Sequence, residues 1–428
     1  TRTLTANNQG TLASAGVNYV SLFSPIQTLN GGSANDIFVL NHTVSGSINA
    51  GAGTNTFNVN AAVGALTGGD GDDNFVFGAA GSATTVNGGI GNNQITARNG
   101  LNTWNLSAVN GGSLQVTGGA NYINTFSNIQ TLIGGNTVDI FNINQSFTGS
   151  LYGGLGDDSF RFTSANNAGS VSLIDGGAGI NNLMGRNEAS IWTITAENTG
   201  TLGLNPGSLY VTDFNNIQSL VGGSATDIFV INAAVNNTID AGSGNNIFNI
   251  NAVVGSLVGG DGNDRFVFGN AGSATSIDGA GGSNTLQAKD IANTWTLTAD
   301  NQGALASAGV NYVSLFSNIQ TLQGGSNTDL FNLNFRFNGA IRGGAGNDSF
   351  VVNAQVNQLF GEDDNDSFVF SSANNQGSAT LINGGAGVNS LTGRNAANNW
   401  TVSSLDAGSL GVTNASTYVT SFTSIQTL

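Results

Sequence analysis

Along most of the chain, apolar and polar residues alternate over a few positions and then break at a cluster of Gly, Asn and Asp. Phe57-Asn58-Val59-Asn60 and Phe248-Asn249-Ile250-Asn251 are typical. A period of two places Phe, Val and Ile on one face of a strand and Asn on the other. No stretch carries a helical apolar period, and 64 Gly with abundant Asn and Thr disfavour helix. The pattern predicts short strands joined by tight turns, hence an all-β chain.

The strands recur at a fixed step. Phe38, Phe57 and Phe75 open successive strands, as do Phe141 and Phe160, then Phe229, Phe248 and Phe266, then Phe331, Phe350 and Phe368. Each step within a group is 18 or 19 residues. A longer period encloses this one. Ile26, Ile129, Ile217, Ile319 and Ile425 each open an Ile-Gln-(Thr/Ser)-Leu phrase, and Trp104, Trp192, Trp295 and Trp400 keep the same beat. Residues 3–29 nearly repeat residues 296–322. The chain therefore reads as the end of a preceding module, 1–29, and four modules: 30–132, 133–220, 221–322 and 323–428.

The second module is shorter than the fourth by one 18-residue block, about 351–368. A solenoid gains or loses one coil without losing register, which a globular core rarely tolerates. The expected fold is one continuous right-handed parallel β-solenoid with 18–19-residue coils, rising about 4.8 Å per rung. The Trp-bearing stretches, such as 104–134, lack the short beat. They are expected to be wider coils of about 23 residues, with Trp capping or filling a corner. Neither end has the polar cap that a solenoid needs, so the chain is expected to be part of a longer protein.

Composition narrows the function. Hydrophobic residues at 39%, with 24 Phe, supply a core, while charged residues make up only 8% against about a quarter in ordinary domains. A net charge of −16 argues against nucleic acid, which requires clustered cations, and no apolar run approaches the roughly 20 residues of a spanning helix. There is no cysteine nucleophile, His42 is the one histidine, and it aligns with Ala233. Lys289 is the one amine side chain, and Glu188, Glu197 and Glu362 are the glutamates. The aspartates recur with the turns. Repetition predicts scaffolding, whereas an active site breaks it. The chain is expected not to be an enzyme.

Four turns match Gly-Gly-x-Gly-x-Asp-x-(apolar)-x: Gly68–Val76, Gly153–Arg161, Gly259–Val267 and Gly343–Val351. In this they resemble the RTX, or hemolysin-type, calcium-binding repeats. The resemblance implies a parallel β-roll, secretion, and Ca²⁺ held between successive turns. Glycine allows positive φ and inward carbonyls, and carboxylate supplies the hard oxygen that Ca²⁺ prefers. The chain departs from the family in two respects. The nonapeptide occurs once per coil, on one edge only, and many turns carry Asn instead of Asp: Asn55, Asn93, Asn181, Asn246, Asn284 and Asn389. Such Asn residues are expected to ladder through their own amides.

Asp and Asn alternate in the first and third modules (Asp36, Asn55, Asp73, Asn93; Asp227, Asn246, Asp264, Asn284). In the fourth, Asp329, Asp348 and Asp366 fall on consecutive rungs, with Asp363 and Asp364 alongside. Carboxylates one rung apart repel, and a cation relieves that repulsion. Ca²⁺ is expected first at Asp348 and Asp366, then at Asp139 and Asp158 beside Asp157, with Asp73 and Asp264 as lesser candidates. The bland alternative is that all of these are solvated turn carboxylates.

The wider pattern, Trp-x-(Leu/Ile/Val) followed by Tyr-(Val/Ile)-x-x-Phe-x-x-Ile-Gln-x-Leu-x-Gly-Gly, as in Trp192 to Gly223, resembles repeats of giant bacterial surface and biofilm-matrix adhesins. These include two-partner-secretion passengers of the filamentous-hemagglutinin type. The resemblance implies an extracellular place, on the cell surface or in the biofilm matrix. The expected role is a stalk. The alternative is a protomer of a self-assembling layer, sheath or filament. Expected partners are exopolysaccharide or further copies of the chain, with no nucleic acid and no membrane insertion. Outward positions rich in Asn, Thr and Ser favour the stalk.

Overall fold

The computed structural model describes residues 1–14, 16–163, 168–370, 376–413 and 416–428. Its regular elements are all strands, and among the described residues no helix is long and apolar enough to cross a membrane. The chain forms two compact units, Thr1–Glu188 with Asn198–Val221, and Ala189–Glu197 with Gly222–Leu428.

In the first unit, Ile37–Leu40, Thr56–Val59, Asn74–Phe77 and Gln94–Thr96 stack in parallel, so that Phe38, Phe57, Phe75 and Ile95 lie one above another. The other sheet is built likewise from Thr28–Asn30, Val44–Ala52, Ala62–Asp70 and Ser82–Ile90, which aligns Leu29, Ile48, Leu66 and Val86. The chain crosses from one sheet to the other and back in each coil. Register leaves the rings little choice. Phe38 and Phe57 lie 4.9 Å apart and Phe57 and Phe75 4.6 Å apart, each pair tilted by 10°, close to the strand spacing itself. All three are fully buried.

The second unit has two such columns. One runs Trp192, Phe229, Phe248, Phe266, Leu286. The other runs Trp295, Phe331, Phe350, Phe368, Leu391, with ring spacings of 5.7, 4.8 and 4.7 Å. The phenylalanines of each module therefore share one sheet, as the 18- and 19-residue steps require.

The Trp-bearing stretches differ from expectation. Asn102–Ala108, Gly111–Val116 and Asn121–Ser127 form an antiparallel meander within one sheet. Its first strand pairs in parallel with Asp139–Ile143, and its last with Ser82–Ile90. In the opposite sheet Gln94–Thr96 pairs directly with Thr131–Ile133. These residues are not a wider coil, and Trp104 does not fill a corner: it stacks on Phe141 at 5.7 Å and 7°. The cause is local. Asn110, in the Val109-Asn110 loop, has φ 50° and Gly118 φ 73°, the left-handed backbone that Asn and Gly tolerate best. In the second unit the strands Thr294–Ala299, Gln302–Ser307 and Val310–Ser317 pair the same way, as do Asn398–Ser404, Ala407–Val412 and Thr417–Thr423.

Each meander exchanges the roles of the two sheets. Phe38, Phe57 and Phe75 occupy one sheet, whereas Trp104, Phe141 and Phe160 occupy the other. The glycine-rich turns thus move to the opposite edge, which corrects the expectation of a single edge. A cation–aromatic contact pins each junction. Arg98 lies over Tyr122 at 4.0 Å, and Lys289 over Tyr312 at 4.1 Å. The tyrosine hydroxyls donate to Asn102 Oδ1 at 2.8 Å and to Asn293 Oδ1 at 2.7 Å. The sole lysine is a structural residue.

Truncating one ring of a column leaves a cavity flanked by two others. Phe248→Ala is expected to cost about 3–5 kcal/mol in chemical denaturation of the chain, and Phe248→Leu much less. A loss below about 1 kcal/mol for the alanine variant would show that the column is not the core.

Candidate functional site

The glycine-rich turns carry the titratable groups, and backbone geometry dictates how these groups sit. In the turn from Gly343 to Asp348, Gly344 has φ 105°. A Cβ on Gly343 would strike both Asp348 Oδ2 and the carbonyl of Gly361 one rung on. Glycine therefore lets the Asp side chain fold inward beneath the next coil.

There the side chains form an inner ladder. In the second unit the Asn293 N–H donates to Asp329 Oδ1 at 2.7 Å, Asp329 N–H to Asp348 Oδ1 at 2.7 Å, Asp348 N–H to Asp366 Oδ1 at 2.9 Å, and Asp366 N–H to Asn389 Oδ1 at 2.8 Å. The column from Asp227 through Asn246, Asp264 and Asn284 is stitched in the same way. So are Asp36, Asn55, Asp73 and Asn93, and Asp139, Asp158 and Asn181, in the first unit. Gln130, Gln320 and Gln426 close their columns, each side-chain oxygen accepting the last Asn N–H. This explains the Gln of the Ile-Gln phrase.

Asp and Asn are interchangeable at one oxygen and not at the other atom. Where Asn ends a column, Nδ2 donates to a carbonyl of the following coil, Asn93 to Asn128 O at 3.0 Å and Asn284 to Asn318 O at 3.0 Å, whereas Asn55 Nδ2 donates to Gly53 O of its own turn at 3.0 Å. The expected amide-to-amide ladder therefore does not run along the turns. It runs along the outward faces of the strands, as in Asn60 to Asn41 at 2.8 Å and Asn353 to Asn334 at 2.7 Å. In Asp rungs Oδ2 takes the place of Nδ2 and can only accept: in Asp36, Asp139, Asp227 and Asp329 it takes the N–H of Gly32, Gly135, Gly223 and Gly325. The Oδ2 atoms of Asp73, Asp158, Asp264, Asp348 and Asp366 are buried, with no partner among the described residues.

A buried carboxylate oxygen with no donor favours a proton or a cation on it. Burial accordingly pushes these carboxyls up: Asp139, Asp264 and Asp329 to about 6, Asp158, Asp227 and Asp366 to about 7, and Asp348 to about 8. In Asp348 the charges of Asp329, Asp366 and Glu362 add to burial.

The alternative, that all of these carboxylates are solvated, does not hold for the inner set. Asp139, Asp158, Asp73, Asp264, Asp329, Asp348 and Asp366 are all essentially inaccessible, because the turn folds them under the next coil. Asp157, Asp363 and Asp364 stay exposed. Asp157 belongs to an outer ladder that the pattern did not reveal and that runs in the opposite sense: Asn92 N–H donates to Asp72 Oδ1 at 2.7 Å, Ile180 N–H to Asp157 Oδ1 at 2.7 Å, and Val388 N–H to Asn365 Oδ1 at 2.7 Å. Asp364 instead accepts from the preceding rung, Gly346 N–H donating to its Oδ2 at 3.1 Å. Inner and outer carboxylates do not converge, and among the described residues no group of three or more His, Cys, Asp or Glu is placed to hold a metal ion. A cation would have to be held by one inner Oδ2 and backbone carbonyls. The residues that fit are Asp348 and Asp366, then Asp158, Asp73 and Asp264.

Beyond the ladders the chemistry is sparse. His42 is exposed, Glu362 pairs with Arg342 at 2.8 Å, and Trp104, Trp192 and Trp295 are fully buried in the ring columns. No protein-family model matches the chain, and no curated protein matches it. The geometry stands alone.

The sign of the pH dependence follows from the raised carboxyls. Above about pH 4 the unfolded chain has released these protons while the folded chain keeps them, so the folded state binds more protons. Their contribution to stability is full below about pH 4 and is lost as pH rises through about 6 to 8. The melting temperature is expected to fall over that range. Asp348→Asn with Asp366→Asn should flatten the fall and raise melting at pH 8 by a few degrees, since Asn supplies the missing N–H. A pH-independent melt in the unmodified chain would contradict the assignment.

Proposed function

We propose that this chain is a structural repeat segment of a secreted bacterial adhesin or biofilm-matrix protein, acting as a stalk outside the cell rather than as an enzyme. The observation that carries this reading is the rung-on-rung column. Trp192, Phe229, Phe248, Phe266 and Leu286 repeat one contact without a break, and the same turn hydrogen bond recurs at each rung. An element whose purpose is reach needs only this: identical units added in series. We take the winding as right-handed, the hand overwhelmingly favoured for parallel crossovers, with coils of 18–19 residues interrupted by the meanders.

The layer or sheath alternative needs a continuous apolar stripe on a flank. Exposed apolar residues of the first unit do not supply one. Ile90 follows a strand of one sheet and Ile180 a strand of the other, so they occupy opposite edges. The RTX-like turns support calcium as the stabilising ion in an extracellular setting, where the metal would take the place of the protons on Asp348 and Asp366. Exopolysaccharide is the partner class that best suits an acidic surface rich in Asn, Thr and Ser.

Three measurements test this reading. Sedimentation velocity over a wide concentration range should give a monomer; concentration-dependent assembly would favour the layer. Deleting residues 351–368, one coil, should leave a cooperatively folded chain that melts within a few degrees of the parent; collapse of folding would contradict the serial construction. Millimolar Ca²⁺ at pH 8 should raise the melting temperature, and not in the Asp348→Asn, Asp366→Asn chain. An unchanged melt in the parent removes the metal from the account.

A further inference from the structure

One corner breaks the repetition. Where the chain leaves each phenylalanine strand, the first three modules carry His42-Thr43, Gln145-Ser146 and Ala233-Ala234, and the fourth carries Phe335-Arg336. Phe335 is 43% exposed, unlike the fully buried ring columns. Arg336 is also exposed, and its guanidinium has no hydrogen bond, ion pair or ring partner among the described residues. Every other Lys and Arg side chain has one. In a scaffold, an exposed ring beside an unpartnered cation has no structural reason.

The surroundings are built for hydroxyl groups. A cleft of about 220 Å³ is lined by Arg336, Asn338, Gln355 and Asn357. A second, of about 190 Å³, shares Asn338 and adds Asn301 and Asn318. The side-chain amides of Asn338 and Gln355 make no hydrogen bond to protein among the described residues, so each offers both a donor and an acceptor. The corner itself is held firmly. Asn301 N–H donates to Arg336 O at 2.8 Å, Asn338 N–H to Asn301 Oδ1 at 2.8 Å, and Arg336 N–H to Asp300 Oδ1 at 3.1 Å.

The exposed Asp300 balances Arg336, so the corner has no net charge to recruit an ion, and a chain at −16 repels anions. A peptide would seek a free strand edge, but Phe337–Gly344 and Leu330–Leu333 are paired. Amides that both give and accept, one charge of each sign, and an exposed phenyl ring next in the chain to the cleft-lining Arg336 suit a ring that has an apolar face and a rim of hydroxyls.

We propose that this corner binds a neutral hexose oligosaccharide, with Phe335 against the sugar face and Arg336, Asn338 and Gln355 on its hydroxyls. The site is independent of the stalk reading: a segment that binds no sugar can still be a stalk. The test is calorimetry and saturation-transfer NMR on the intact chain, with cellohexaose and maltohexaose as neutral probes and hexagalacturonate as the anionic one. At least one neutral probe should bind, with little dependence on salt. Phe335→Gln and Arg336→Ser, which install residues the second module already carries there, should keep the parent melting curve and weaken binding about tenfold. Gln145→Ala, at the equivalent corner of the first unit, should change nothing. Absence of neutral-probe binding at millimolar sugar, binding unaffected by both variants, or binding confined to the uronate and lost in salt would each overturn the proposal.

Discussion

In a stack of parallel coils, each backbone N–H is committed to the rung beside it, and this commitment governs the rest of the structure. A side chain that faces inward in one coil lies directly against its counterpart in the next, at the spacing of strands. Whatever occupies that position must tolerate its own neighbour. Aromatic rings do so by lying flat, as the phenylalanine columns do. Amides do so by giving and accepting along the column. Carboxylates do so only when something neutralises them.

The inner turn ladder is where that constraint is tightest. Oδ1 of Asp or Asn caps the N–H of the preceding rung equally well, so both residues serve the fold. The second terminal atom distinguishes them. Asn donates from it to a backbone carbonyl, whereas the Oδ2 of Asp73, Asp158, Asp264, Asp348 and Asp366 finds no donor and needs a proton or a cation. In the alternating columns one oxygen each, Asp73 or Asp264 Oδ2, is left without a donor, because Asp36 and Asp227 take the N–H of Gly32 and Gly223. In the fourth module Asp348 and Asp366 leave two on consecutive rungs, and burial with the charges of Asp329, Asp366 and Glu362 pushes Asp348 up to about 8.

Much of this was legible in the chain and some was not. The phenylalanine step announced the columns, because a contact between neighbouring rungs must repeat at the coil length. The meanders are not legible in the period, because they turn on single left-handed residues such as Asn110 and Asn301 that no recurring spacing marks. The nonapeptide marks the turn aspartates but not how deeply they are buried. Gly343 and its counterparts show why: a residue without Cβ allows the following Asp to tuck under the next coil, and that depth depends on backbone geometry more than on residue type. The outer ladder and the capping role of Gln130, Gln320 and Gln426 require knowing which rung lies above which. Tyr122 over Arg98 and Tyr312 over Lys289 bring together residues more than a strand apart, a pairing that periodicity does not encode.

The register itself can be measured without background, because the chain contains no cysteine. Asn58 and Val76 are direct partners on neighbouring parallel strands and both are partly accessible, at a separation that a disulfide spans. Asn58 and Gln94 lie on strands two rungs apart. Oxidation of the Asn58→Cys, Val76→Cys chain should cross-link it rapidly and raise its melting temperature, while the Asn58→Cys, Gln94→Cys chain should remain reduced under the same conditions. Equal cross-linking of the two pairs, or rapid closure of the second alone, would contradict the stacked register on which the columns, the ladders and the proposed role all stand.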